Sequence, residues 1–246
     1  MEEKSIKKSK HIVISGPESS GKTTLFEELS NTYNCCFAPE YSRIYLNGLN
    51  RKYNYLDILE IAKFQVDKLN LISKKDQLII SDTDLLTLLI WCEFKYNKCH
   101  QYIQDQLLNN LPDLYLLCSP DIPWEYDEQR ENPVDRQDLF NIHLEKINSG
   151  EPCIIIGTQM LAKGHDFSNL AFVGILDVDV GLMSTDFRAT EHLAQLLVQV
   201  SGRCGRGKYK GEVNIQTRYP NHPIFNYVKD SRYIEYAKTL LSERKD

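Results

Sequence analysis

Residues 11–25 read HIVISGPESSGKTTL. A short apolar run from His11 to Ser15 leads into a glycine-bounded turn, and a helical stretch begins near Lys22 with Leu25, Leu29 and Tyr33 on one face. The turn fits G-x-x-x-x-G-K-[ST] in full, between a strand and a helix, which is the setting that makes the pattern a structural statement. Glycines there let successive backbone N–H groups face phosphate oxygens, and the helix N-terminus adds partial positive charge. Gly16, Ser19, Ser20, Gly21, Lys22, Thr23 and Thr24 are therefore the candidate ATP-binding residues. Lys22 is expected to reach the β- and γ-phosphates and the Thr23 hydroxyl to hold Mg²⁺. A Gly/Ser-rich turn that binds nothing leaves both flanks unexplained.

Outward from this loop, similar apolar runs recur at 35–38, 78–81, 114–118, 153–157, 170–176 and 213–216, with helical periodicity between several of them. That alternation predicts an α/β fold, a parallel sheet with helices on both faces. Ligands of such sheets bind beyond the carboxyl ends of the strands, and two of those ends are acidic. The second strand runs into PEYSR (39–43) and the third into SDTD (81–84). An Asp directly after an apolar strand is where a carboxylate orders a magnesium shell or accepts the proton of an attacking hydroxyl, so Asp82 is the first candidate. Asp84 is open between that chemistry and capping the helix 85–94. Glu40 with Arg43 reads as a substrate clamp or a surface ion pair. After the fourth strand, PDIPWEYDEQRENPVDR (120–136) suits a lid. Arg130 and Arg136 there are candidates to offset charge on a transferring phosphoryl group, and Trp124 either covers a flat substrate or packs on the body.

The chain has 246 residues, enough for one large domain or two small ones. Its 42% hydrophobic and 26% charged residues give a packed core and exclude a disordered chain. A net charge of −5 supplies no overall cationic field for a polyanion. The seven cysteines form no C-x-x-C pair and no zinc-spaced cluster, so reduced thiols are expected. The opening MEEKSIKKSK lacks the apolar segment of a signal peptide, and no apolar run reaches the ~18–20 residues of a membrane span. The expectation is a cytoplasmic protein.

The blocks GPESSGKTTL, PEYSRIYL, SDTDLLTLLIW and PDIPWEYDEQRENPVDRQDLF, in this order, resemble the ribosylnicotinamide kinase (NadR-type) family over about residues 10–145. The resemblance implies transfer of the ATP γ-phosphate to the 5′-hydroxyl of nicotinamide riboside, giving nicotinamide mononucleotide for NAD salvage, with Mg²⁺ as cofactor. It places Glu40, Tyr41 and Arg43 in the nucleoside-side motif, Asp82 and Asp84 in the acidic motif, Trp124 and Asp127 near the nucleoside, and Arg130 and Arg136 in the lid. Lys22, Asp82, Asp84, Arg130 and Arg136 are then the catalytic candidates, and Thr23 with Asp82 the metal candidates. The adenylyltransferase segment with H-x-G-H that precedes the kinase in bifunctional members is not expected here.

From about residue 146 to 223 the sequence is similar to the C-terminal helicase lobe of the primosomal replication-restart helicase family (PriA, primosomal protein N-prime). GTQMLAKGHDF (157–167) resembles helicase motif V and QVSGRCGRG (199–207) resembles motif VI, which points to Lys163, Asp166, Gln199, Arg203 and Arg206. The resemblance implies DNA contact and arginines reaching an ATP γ-phosphate held by another lobe. The helicase's first lobe, its D-E-x-H-like motif and its zinc insertion have no counterpart in the sequence, so strand separation by this chain alone is not expected. Arg203, Arg206, Lys208, Lys210 and Arg218 form a basic cluster, either a weak non-specific nucleic-acid contact or a solvated rim. His165 and Asp166 lack a third ligand at usable spacing.

The organisation expected is a phosphate-loop kinase domain over 1–145, a partial RecA-like helicase lobe over 146–230 and a charged tail over 231–246, in which 233–246 reads as a short charged helix. The kinase part supplies four strands where its fold normally has five, and the apolar run at 153–157 is the expected fifth. The principal function expected is nucleoside phosphorylation. A fragment of a replication-restart helicase binding ATP and DNA, or an inactive fusion, is the alternative.

Overall fold

The computed structural model describes residues 9–33, 35–73, 78–147, 153–158, 170–205 and 210–243. Its described residues form two compact units, Met1–Thr158 and Gln159–Asp246.

The first unit begins with strand β1 (Lys10–Ser15), the phosphate-loop sequence and helix α1 (Lys22–Thr32). Strand β2 (Cys36–Ala38), helices α2 (Tyr41–Asn47) and α3 (Tyr55–Ile72), and strand β3 (Leu78–Asp82) follow. Helices α4 (Leu85–Tyr96) and α5 (Gln101–Asn109) lead to β4 (Leu114–Cys118), and α6 (Arg136–Ile147) leads to β5 (Cys153–Ile156). The five strands pair in parallel in the order β2-β3-β1-β4-β5. The late strand β5 is thus the edge of the first sheet, in register with β4 from Tyr115↔Cys153 to Cys118↔Ile156. For that reason the unit ends at Thr158, beyond the point near 146 where the sequence changes resemblance.

Strand alternation divides the core between two faces. Ile14, Ile80 and Cys118 turn to one side and bury Phe26 of α1, whose ring meets Phe37 edge-on at 5.7 Å. Val13, Ile79, Tyr115 and Leu117 turn to the other and are almost fully buried. On that face the Tyr115 hydroxyl donates to Asp84 at the head of α4, 2.8 Å away. Helix α3 starts where Asn54 caps it and Asp57 completes a capping box, with Arg51 gripping the buried Asp57 carboxylate through two donors at 2.6 and 2.7 Å. These contacts hold the Asp57 carboxyl well below the ordinary range, the Arg51 hydrogen bond contributing most.

The second unit has strands β6 (Phe172–Ile175) and β7 (Glu212–Ile215), paired in parallel, and helices α7 (Asp179–Leu182), α8 (Ala189–Ser201), α9 (Pro223–Lys229) and α10 (Tyr233–Glu243). Its core gathers Val178, Leu193, Ala194, Leu197, Ile224 and Tyr236. The segment 233–243, expected as a short charged helix in the tail, is the helix α10, and its Tyr236 is only 5% exposed in that core.

Candidate active site

The loop between β1 and α1 closes on itself in a way that only its glycines permit. Gly16 has φ +136°, and a Cβ there would lie 2.6 Å from the Cys118 carbonyl oxygen at the end of β4. Gly21 has φ +80° immediately before α1. The Ser20 hydroxyl donates to the Pro17 carbonyl at 2.8 Å, and the Lys22 ammonium donates to the same carbonyl at 2.6 Å. Lys22 is thereby folded into the loop, where burial pushes its pKa down against the pull of Glu40 and Asp82.

Thr23, the first-turn hydroxyl of α1, donates to Asp82 Oδ2 at 3.1 Å. Asp82 is 3% exposed and its Oδ1 has no hydrogen-bond partner among the described residues. Burial, reinforced by Glu40, raises its pKa to about 6. A buried carboxylate oxygen left bare beside the hydroxyl of a phosphate loop suits a hard cation or a proton, which matches the donor set that Mg²⁺ takes. Among the described residues no cluster of three or more His, Cys, Asp and Glu exists for a metal, so an ion here would draw its remaining ligands from phosphate and water.

Asp84 has gone the other way. Thr83, at φ +65°, turns the chain after β3, and Asp84 points to the opposite face of the sheet. There its Oδ1 accepts Leu86 N–H as the cap of α4, and its Oδ2 accepts the Tyr115 hydroxyl. Of the two readings open for this residue, the geometry is that of the cap, because both oxygens are committed to the fold.

A cavity of about 240 Å³ opens from the phosphate loop between α2, α4, α6 and the segment 119–135. Glu40 and Arg43 line it, together with Arg130, Gln129 and Asn132 from the lid-like segment. Tyr53, Thr87, Trp91, Phe94 and His143, which belong to none of the expected site residues, also line it. Tyr53 and Trp91 stand edge-to-face at 5.0 Å, and the Trp91 indole N–H donates to the Tyr53 hydroxyl at 3.0 Å. Thr87, Trp91 and Phe94 share one face of α4 at helical spacing, which was the available signal; Tyr53 carried none.

Three expected substrate residues are placed elsewhere. Tyr41 stacks on Phe64 at 3.6 Å and faces a neighbouring cavity of about 330 Å³ that Asp82 also lines. Asp127 is spent on Arg43, 2.7 Å away, an ion pair that pins the lid to α2 and lowers the Asp127 pKa. Trp124 lies under the Arg136 guanidinium at 5.7 Å instead of lining the cavity. The lid is latched to the loop. Arg136 donates to the carbonyls of Ser19 (2.6 Å), Glu18 (3.2 Å) and Ile122 (3.1 Å), Glu125 N–H donates to Ser19 Oγ, and Asn132 N–H to Glu18 Oε2. Arg136 is therefore a clamp in this arrangement, while Arg130 lines the cavity and donates to the Glu125 carbonyl at 2.7 Å.

In the second unit, Gln199 lies in the last turn of α8 and Arg203 just beyond it. Lys210 and Arg218 are exposed near β7, where Asp179 accepts from Thr217 Oγ1 and Arg218 N–H. Lys163, His165, Asp166, Arg206 and Lys208 lie outside the described residues.

A five-stranded parallel sheet with a glycine-bounded loop between its β1 and the first helix, and an acidic β3 end facing it, defines a phosphate-loop NTPase-like fold. Residues 11–162 match the family model described as an AAA domain, and the chain belongs to that family. The NadR protein solved in complex with NR is similar in structure, with a TM-score of 0.55 at 20% sequence identity over 65% of this chain and 47% of that one. The replication restart protein PriA of Haemophilus influenzae is 50% identical over 111 residues, 45% of this chain and 15% of the relative. PriA of Synechocystis is 36% identical over 126 residues, 51% of this chain and 15% of the relative. The chain thus spans about 15% of the length of these curated relatives.

Proposed function

We propose that the first unit is an ATP-dependent nucleoside kinase whose substrate is nicotinamide riboside and whose product is nicotinamide mononucleotide. The observation that carries this reading is the bare, buried Oδ1 of Asp82, held beside Thr23 at the foot of the phosphate loop, with Thr23 lining the cavity walled by Tyr53 and Trp91 and Asp82 lining the neighbouring one. Backbone N–H groups of Gly16–Thr24 hold the ATP phosphates, and Lys22 leaves the Pro17 carbonyl to meet the β- and γ-oxygens. Thr23 and Asp82 would hold Mg²⁺, which when bound offsets charge on the β- and γ-phosphates. With Oδ2 tied to Thr23, Asp82 keeps Oδ1 for the proton of the attacking 5′-hydroxyl. Glu40 and Arg43 hold the nucleoside, Tyr53 and Trp91 take the flat ring, and Arg130 offsets the charge of the transferring group. Asp84, Tyr41, Trp124, Asp127 and Arg136 act indirectly, by shaping α4, α2 and the lid. By the resemblance, residues 1–145 come from this kinase lineage, with 153–156 completing its sheet, and the enzyme works in the cytoplasm.

The test is phosphoryl transfer by the full chain with Mg·ATP. Nicotinamide riboside is converted to the mononucleotide, and Lys22→Ala lowers the rate about a hundredfold or more. A parent chain without product, or a Lys22→Ala variant equal to it, sinks the reading.

A second reading rests on the 50% identity to PriA. Residues 146–230 are then a partial RecA-like lobe, and Gln199, Arg203 and Arg206 are remnants of motif VI that contact nucleic acid or a nucleotide held by another lobe. DNA-stimulated ATP hydrolysis that disappears in Arg206→Ala supports this reading, and its absence removes it.

A further inference from the structure

Helix α6 carries a histidine that the proposed mechanism does not use. His143 is 2% exposed and lines the cavity, as do Leu139 of the same helix and Thr87 and Ile90 of α4. Its Nδ1 is 2.7 Å from the Leu139 carbonyl oxygen, an acceptor only, so Nδ1 carries the proton. Nε2 is then a bare lone pair. It is fully buried and has no hydrogen-bond partner among the described residues. Because Nδ1 is held against the helix's own backbone, Nε2 on the far side of the ring projects away from α6. Burial, with the nearby Lys22 ammonium also opposing a positive charge, lowers the pKa to about 4, so the ring stays neutral at physiological pH.

A buried acceptor without a donor costs free energy that a matching ligand group recovers. The groups able to recover it are a hydroxyl or an N–H. An ionised phosphate is not among them, since it offers only acceptors of its own.

We propose that His143 is a specificity-determining residue: its Nε2 accepts a hydrogen bond from a hydroxyl or amide N–H of the acceptor substrate. This rests on the kinase reading and adds the substrate chemistry of its cavity. A pocket that hydrogen-bonds a substrate donor rejects analogues lacking it far more strongly than an apolar pocket rejects an extra group.

The experiment compares the full-length parent with His143→Gln, which keeps an acceptor, and His143→Leu, which removes it at similar volume. Thermal unfolding confirms that each variant folds. With nicotinamide riboside and Mg·ATP, His143→Leu is expected to raise the nucleoside KM about tenfold and to leave kcat and the Mg·ATP KM within about threefold. His143→Gln is expected to recover most of the nucleoside KM. Imidazole ¹⁵N spectra of the parent should show the Nε2 resonance moving upfield when nicotinamide riboside is added without ATP. An unchanged KM in His143→Leu with an unmoved Nε2 resonance overturns the proposal while leaving the kinase reading intact. A change confined to the Mg·ATP KM also overturns it. A parent chain that phosphorylates no nucleoside overturns both.

Discussion

Gly16 and Asp82 show how single residues set the chemistry. At Gly16 the backbone is in a region that L side chains rarely adopt, and an added Cβ would strike a backbone oxygen of β4 that has no room to yield. Gly16→Ala is therefore expected to weaken Mg·ATP binding at least tenfold, by calorimetry, with a loss of about 1–3 kcal/mol in unfolding free energy. Asp82 makes a pH prediction. Its folded pKa of about 6 lies above the ordinary carboxylate value of 3.8, so between those two pH values the folded state binds more protons than the unfolded state. Stability contributed by this group is full below pH 3.8 and is lost as pH rises toward 6. Activity runs the opposite way, since only the ionised carboxylate accepts a proton. kcat/KM is expected to fall below about pH 6, and Asp82→Asn to remove both that limb and most of the rate.

Legibility differed between these neighbours for a physical reason. Asp82 and Asp84 stand two residues apart after the same strand, and in sequence both are acids in a strand-end motif. The left-handed Thr83 between them and the Tyr115 hydroxyl on the opposite face decide that one acid faces the phosphate loop and the other caps a helix. Tyr115 is distant in sequence, so no local pattern carries that information. Tyr41 lines the neighbouring cavity and not the one at Arg43 for the same reason: α2 turns it toward Phe64 of α3.

Among the elements, β5 has the largest consequence. It brings backbone pairing to β4, whose other edge is already taken by β1, and Ser119 N–H adds a further bond to the Ile156 carbonyl at 2.8 Å. A chain ending after Ile147 would leave β4 as an open, apolar edge. It is expected to aggregate, or to unfold with at least about 3 kcal/mol less stability than a chain ending after Thr158, in urea titrations of both. Equal stability of the two would show that β5 is dispensable. The lid acts at this scale too, as an irregular segment fixed by Arg136, Asn132 and the Arg43–Asp127 pair.

At the scale of the whole chain, a net charge of −5 meets a second unit with a small core of its own and a two-stranded sheet. Counterion release needs several clustered cations, and the cluster Arg203, Arg206, Lys208, Lys210 and Arg218 has to act against that negative balance. Fluorescence anisotropy with labelled single- and double-stranded DNA is expected to give a Kd no tighter than about 10⁻⁶–10⁻⁴ M at physiological salt, with a shallow salt slope. Nanomolar binding would instead favour the replication-restart reading.

The sequence by itself determined the phosphate loop, the strand-and-helix alternation and the acidic strand ends, because each is written in contiguous residues whose spacing matches a local backbone geometry. It also held the fifth strand as an apolar run. Tertiary contacts alone pair this run with β4, turn Asp84 and Tyr41 away from the cavity beside the phosphate loop, make Tyr53 and Trp91 part of its wall, and leave His143 of that cavity with a bare nitrogen. Those outcomes depend on contacts between residues tens of positions apart, and packing, not local propensity, chooses which partner each side chain meets.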